Sequence, residues 1–247
     1  MGDVKAVFFD LSGVLYEGSR VIPGAKLALG RARDAGLLIR FVTNTATKSR
    51  EEILDKLGRF GIEAEPGELY SAPMAALDYI EENDLFPYCL VHESIENDFR
   101  FFERSRPNAV LIGDARMKLH YDGLNRAFQL VMDGAPLLAI GKNRYFKTEE
   151  KLQLDAGAFI AALEWAAGVE ATVLGKPSRE FYDAVVESTD LDASECLMIG
   201  DDLEGDVIAA LDAGLAATLV KTGKFKPKDA EGLPEGANLV DSVADLF

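Results

Sequence analysis

The sequence predicts an α/β protein: a core parallel sheet covered by helices, interrupted by an inserted second α/β unit. Short apolar runs alternate with helix-period segments along most of the chain, the pattern of βαβ units. The runs are also too many for one small sheet and its helices, so a core with an insertion is the economical arrangement. VKAVFF (4–9) reads as a buried strand, PGAKLALGRARDAG (23–36) as a helix that starts near Pro23 and stops near Gly36. LIRFVTN (38–44) is the next strand and KSREEILDKLGRFG (48–61) the next helix. LYSAP then leads into MAALDYIEEN. The alternation continues through YCLVHE, SIENDFRFFER, AVLIGD, GLNRAFQLVMDG and PLLAIG. A helical GAFIAALEWAAG (157–168) is followed by ATVLG, a helix from Arg179, the strand CLMIGDD (196–202), a helix over 204–213 and LAATLVKTG.

Composition narrows the function. At 247 residues, 48% hydrophobic and 28% charged, the chain is long enough for one large domain or two modest ones. Its 42 acids outweigh 26 bases for a net charge of −16, a field that repels nucleic acid and anionic lipid. The densest basic cluster, KTGKFKPK (221–228), is too short to reverse this, so neither nucleic acid nor membrane is expected as a partner. No run approaches the roughly 18 apolar residues of a membrane span. The N-terminal MGDVKAVFFD lacks a secretory pattern, and a cytoplasmic protein is expected. Cys89 and Cys196 lie far apart, each beside or inside an apolar run, and read as buried reduced thiols. His92 and His120 lack metal-ligand spacing and suit structural or surface roles.

Five polar clusters follow predicted strands: Asp10 with Ser12, Thr43 with Asn44, Lys176, Asp201 with Asp202, and Asp206. A parallel sheet gathers such strand ends along one edge, where its ligands bind. Two carboxylates with a carbonyl and waters form an oxygen site suited to Mg²⁺. One carboxylate can also attack phosphorus. A Lys, a Thr hydroxyl and the metal would neutralise a phosphoryl group. Singly, each residue also fits an ordinary role. Asp10 could be a turn former or N-cap, Asp206 a partner of a helix dipole, Lys176 a solvated loop residue. GKPS and TGKF are not P-loops, because the GxxxxGK[ST] spacing is absent. The ordered set carries the signal.

That set resembles the haloacid dehalogenase superfamily of aspartyl-phosphate phosphatases. DLSGVL (10–15), VTN (42–44), GKPS around Lys176 and GDDLEGD (200–206) look like its four motifs, in order. The resemblance implies a Rossmann-like core with Asp10 as nucleophile and Mg²⁺ ligand, Ser12 lending its main-chain carbonyl to the metal, and Asp201 as second carboxylate ligand. Asp202 and Asp206 would support the metal shell. Thr43 and Asn44 would hold the phosphoryl group, and Lys176 would neutralise it together with Asp10. GVLYEGS would be the small flap beside the site. The gap between the second and third motifs is where the family inserts its α/β cap, here placed at 84–170 between core segments 1–83 and 171–247. IGDARMKLHYDGLNRAF and IGKNRYFKTEEKLQLDAGAF resemble the subfamily IIA branch with a type C2 cap that holds phospholysine phosphohistidine inorganic pyrophosphate phosphatases. Arg144, Tyr145 and Lys147 are candidate lining residues of a cap pocket. Caps of this type often dimerise, so a homodimer through the cap is an expectation.

Most phosphatases of the superfamily resemble one another in carrying Asp where this chain has Ser12. That Asp protonates the leaving group and then helps activate water, and its loss typically costs about 10²–10⁴ in rate. The residue therefore points to small phosphorylated substrates whose leaving group needs little help: pyrophosphate, aryl phosphates and P–N bonds such as phosphohistidine. A broad sugar- or nucleotide-phosphate phosphatase, and a non-catalytic protein that binds Mg²⁺ and phosphate, are the alternatives.

Overall fold

The computed structural model describes residues 4–102, 105–147 and 151–247, with Lys147 described by its backbone alone. The chain divides into two compact units. The first comprises Met1–Thr43, Arg50–Ser71 and Lys176–Phe247; the second comprises Asn44–Ser49 and Ala72–Gly175. The second unit thus takes in 44–49, 72–83 and 171–175, which the sequence assigns to the core segments.

The first unit opens with β1 (Ala6–Asp10), all five residues buried, as a strand covered on both faces must be. The flap stretch forms a hairpin of β2 (Tyr16–Glu17) and β3 (Arg20–Val21). Helix α1 (Ala25–Asp34) buries Ala25, Ala28, Leu29 and Ala32, the i, i+3, i+4, i+7 face. It is shorter than 23–36 because Gly24 takes φ 83° at its start and Gly36 φ 75° at its end. Strand β4 (Leu38–Thr43), helix α2 (Arg50–Arg59) and strand β5 (Leu69–Ser71) follow. In α2, Ile53 and Leu57 face the core, with Glu51 and Glu52 in the first turn and Lys56 and Arg59 in the last, the arrangement its dipole favours.

The second unit runs through α3 (Ala72–Glu82), β6 (Pro87–Leu90), α4 (Glu93–Glu96), β7 (Ala109–Ile112) and α5 (Tyr121–Met132). It continues with β8 (Leu137–Ala139), a hairpin of β9 (Tyr145–Lys147) and β10 (Leu152–Leu154), α6 (Ala156–Ala167) and β11 (Thr172–Val173). Its parallel sheet is ordered β11-β8-β7-β6. Val110, Ile112, Ala127, Val131, Ile160 and Leu163 pack into its core. The expected helix over SIENDFRFFER is α4 alone, continued as 3₁₀ turns through Phe102. Both histidines serve as helix N-caps: His92 Nδ1 accepts from the Ser94 amide at 3.2 Å and His120 Nδ1 from the Gly123 amide at 3.4 Å.

The chain returns to the first unit with α7 (Arg179–Glu187), capped by Ser178, and β12 (Cys196–Gly200). A π-helical turn, Leu203–Ile208, precedes α8 (Ala209–Asp212), β13 (Ala216–Val220), α9 (Pro227–Glu231) and β14 (Asn238–Val240). The six-stranded sheet is ordered β14-β13-β12-β1-β4-β5, with every pairing parallel. Val7 and Phe9 face a core shared with Leu29, Ile53 and Leu57, while Phe8, equally buried, alternates to the other face. Neither cysteine is in a disulfide; Cys196 is buried and Cys89 only half-buried, because Cys89 lies on β6, an edge strand.

Candidate active site

β1 and β12 are neighbours in register, so Asp10 at the end of one and Asp201 just past the end of the other meet at one sheet edge. The helix expected over 204–213 begins instead as a π turn, in which the Val207 amide reaches back to the Asp202 carbonyl. This turn directs the Asp206 carboxylate onto the strand end: its Oδ2 accepts from the amides of Asp201 and Asp202, each at 3.2 Å. Gly200 is required there, since a Cβ would run into the Asp206 side chain.

Lys176 closes the cluster. Its Nζ donates to Asp10 Oδ1 at 2.5 Å and to Asp206 Oδ1 at 2.6 Å, and its side chain is only 6% exposed. Carboxylate oxygens of Asp10, Asp201 and Asp206 lie within 4.8 Å of one another. These hard oxygen donors suit a small divalent cation such as Mg²⁺. Asp10 keeps Oδ2 beyond its bond to Lys176, and Asp201 keeps Oδ1, because its Oδ2 accepts the Lys224 amide at 2.7 Å. Asp206 has both oxygens engaged.

Burial and the neighbouring Asp206 charge push Asp10 up to about 6, against the opposing pull of Lys176. Burial, Asp10 and Asp206 push Asp201 up to about 7, while the Lys224 amide and charge work the other way. Burial opposes the charged form of Lys176, yet Asp10 and Asp206 outweigh it and raise its pKa well above the ordinary lysine value. Burial also acts on Asp202, but the Gly205 amide and Lys224 lower its pKa overall.

Among the residues singled out in the sequence, the first unit brings together Asp10, Lys176, Asp201, Asp202 and Asp206. Thr43 is buried at the end of β4, one residue past the Asp10–Val42 pair. Ser12 is exposed in the turn after β1. Asn44 follows Thr43 but groups with the second unit, where its side chain lies against Gly175. Sequence reasoning missed Tyr182, Thr222, Gly223 and Lys224. Tyr182 is buried and donates its hydroxyl to the Gly205 carbonyl at 2.8 Å, bracing the π turn. The KTGK stretch is visible in the sequence as a basic cluster that lacks P-loop spacing, and neither property marks these residues for the site.

The second unit carries a cavity of about 230 Å³, lined among others by Thr45, Asp114, Arg116, Asn143, Phe146 and Asp155. Arg116, at φ 50°, pairs with Asp114 at 3.1 Å and lies over the Phe146 ring at 4.6 Å. Burial pushes the Asp155 carboxyl up although the Ala156 amide donates to it. Of the expected lining residues, Tyr145 is exposed, Arg144 does not line the cavity, and the Lys147 side chain lies outside the described residues.

Comparison with known proteins identifies the family. A model described as haloacid dehalogenase-like hydrolase matches residues 7–102, and a HAD-hydrolase-like model matches 173–246. Haloacid dehalogenase-like hydrolase domain-containing protein 2 of Homo sapiens is 42% identical over 228 residues, 92% of this chain and 88% of that protein. The chain belongs to the haloacid dehalogenase-like hydrolases. A second relative, the phospholysine phosphohistidine inorganic pyrophosphate phosphatase of Rattus norvegicus, is 39% identical over 99% of this chain and 93% of its own. Among solved structures, p-nitrophenyl phosphatase from Archaeoglobus fulgidus aligns with a TM-score of 0.90 at 25% identity over 98% of each chain. NagD from E. coli K-12 aligns with a TM-score of 0.89 at 23% identity, over 99% of this chain and 98% of that one, a likeness of fold. Among the described residues, no helix is long and apolar enough to cross a membrane.

Proposed function

We propose that this hydrolase is a Mg²⁺-dependent phosphatase that works through an aspartyl phosphate on Asp10. The observation that carries the reading is the buried Lys176 bridging Asp10 and Asp206 beside Asp201. Asp10, Asp201 and the Ser12 carbonyl would hold the cation, and Asp206, both oxygens engaged, would orient Lys176 and the loop. When bound, Mg²⁺ supplies neutralising charge for the phosphoryl oxygens.

With its pKa at about 6, Asp10 is mostly ionised at neutral pH and fit to act as nucleophile. Its carboxylate attacks phosphorus, and the bond to the leaving group breaks with the electron pair departing on that group. Lys176 holds the Asp10 carboxylate in line and offsets the charge of the transferring phosphoryl group. The Thr43 hydroxyl donates to that group. Water then attacks the phosphorus, releasing phosphate and restoring Asp10.

Ser12 sets the substrate class. A serine hydroxyl is too weak an acid to protonate a poor leaving group, so pyrophosphate, aryl phosphates and phosphoramidates fit best. Similarity to a phospholysine phosphohistidine inorganic pyrophosphate phosphatase and to a p-nitrophenyl phosphatase supports this class. The test is phosphate release with Mg²⁺ from pyrophosphate, phosphohistidine, phospholysine and 4-nitrophenyl phosphate beside sugar phosphates. Turnover on the first group that falls by on the order of 10³ or more in Asp10→Asn is expected; activity confined to sugar phosphates overturns the substrate class. Ser12→Asp is expected to raise turnover of alkyl phosphates more than of pyrophosphate, and equal gains on both would refute the leaving-group argument. Ser12 also motivates a second reading, a chain that binds Mg²⁺ and phosphate without turnover. Single-turnover phosphate release equal in wild type and Asp10→Asn would establish it.

A further inference from the structure

The basic stretch VKTGKF (220–225) contributes no recognisable chemistry as a sequence, yet it lies against both halves of the carboxylate cluster. Thr222 Oγ1 donates to the Gly13 carbonyl at 2.5 Å, pinning the turn that follows Asp10 and Ser12. The Lys224 amide donates to Asp201 Oδ2 at 2.7 Å, and Lys224 Nζ reaches Asp202 Oδ2 at 3.1 Å. Gly13 and Gly223 both take left-handed backbone, at φ 94° and 63°, and a Cβ on either would collide with the Asp201 carboxylate. A Cβ on Gly223 would also meet the Gly13 backbone. The two turns therefore pack backbone to backbone beside Asp201, at a separation only glycines allow.

We propose that Thr222, Gly223 and Lys224 form a positioning clip for the metal centre. Thr222 fixes the turn that carries the Ser12 carbonyl. The Gly223–Lys224 backbone holds one Asp201 oxygen so that the other is aimed at the cation. A carboxylate free to rotate, or a carbonyl free to drift, would have to be ordered on each binding event, and binding would weaken accordingly. The clip touches neither substrate nor reacting atoms. It rests on the reading of Asp10, Ser12 and Asp201 as metal ligands.

The test is calorimetric titration of the full chain with Mg²⁺ and with Mn²⁺, alongside turnover measured as a function of metal concentration. Thr222→Val keeps the side-chain shape and removes the donor. It is expected to weaken metal binding by about 2–12-fold, the equivalent of one net hydrogen bond. High metal should restore its turnover, so that the half-saturating metal concentration rises while kcat holds. Thr222→Ser should recover most of the affinity, and Gly223→Ala should lose more than Thr222→Val. Because Gly223→Ala could also fail to fold, Thr222→Val decides. Unchanged metal affinity in Thr222→Val, an equal loss in Thr222→Ser, or a fall in kcat that metal does not restore overturns the clip. A wild type that binds Mg²⁺ but hydrolyses no phosphorylated substrate defeats the proposed activity, while the binding titration still decides the clip. A wild type that binds no divalent metal defeats both.

Discussion

Each unit carries an acid at or just past the C-terminal end of a parallel strand, Asp10 and Asp201 in the first and Asp114 in the second, but the clusters around them are built differently. In the first unit, Asp10, Asp201 and Asp206 are buried, and Lys176, with only 6% of its side chain exposed, bridges two of them. In the second, Asp114 pairs with an Arg116 whose side chain is 44% exposed, and Asp155 is half-buried in a cavity shared with Phe146. Parallel topology by itself delivers polar residues to a strand edge. Exclusion of water decides what they become there. A buried cation among buried carboxylates interacts strongly with each of them, whereas the same pairing near solvent is screened.

The largest expected effect separates the two cations. Lys176→Met leaves buried carboxylates without their partner and is expected to lower folding stability by about 3–5 kcal/mol in chelator, measured by denaturant unfolding. A cost below about 1 kcal/mol would mean that the first cluster is as solvated as the second.

The next effect concerns pH. Asp10, at about 6, and Asp201, at about 7, bind protons more tightly in the folded protein than an unfolded carboxyl does. Without metal, their contribution to stability is present below the unfolded carboxyl range and is lost as pH rises through about 6 to 7. A cation at the site competes with those protons. The rise in melting temperature on adding Mg²⁺ is therefore expected to be larger at about pH 8 than at about pH 5.5. Equal shifts at both would break the link between burial and metal binding.

The smallest effect is in the second unit. Arg116→Ala removes a half-exposed ion pair and is expected to cost about 0–1 kcal/mol. A loss comparable to that of Lys176→Met would erase the contrast between the two clusters.

Much of this was legible in the chain. The strands VKAVFF and CLMIG were plain because central strands of a parallel sheet are buried on both faces and read as unbroken apolar runs. The candidate residues stood out because four motifs recur in order just past such runs. Other features left no such mark. The helix over 204–213 has a helical pattern, and nothing in it announces that its first turn is π-wound to direct Asp206 at Lys176. The limits of the second unit escaped because α3 and β11 look in sequence like any other helix and strand of the series. Thr222, Gly223 and Lys224 are not marked as site residues by the sequence, since their contribution is made through one hydroxyl and one backbone amide.

The sequence by itself determined the α/β class and the acidic character, and its ordered motifs singled out Asp10, Lys176 and Asp201 as candidates through their resemblance to a family, because burial period and motif order can be read along a chain. Only the tertiary structure decided which oxygens remain for a cation, that Asp206 is fully engaged, and that the turns at Gly13 and Gly223 enclose Asp201. Those are matters of distance between segments far apart in sequence. Hydrogen bonding and desolvation act over a few ångströms of space, whatever the separation along the chain.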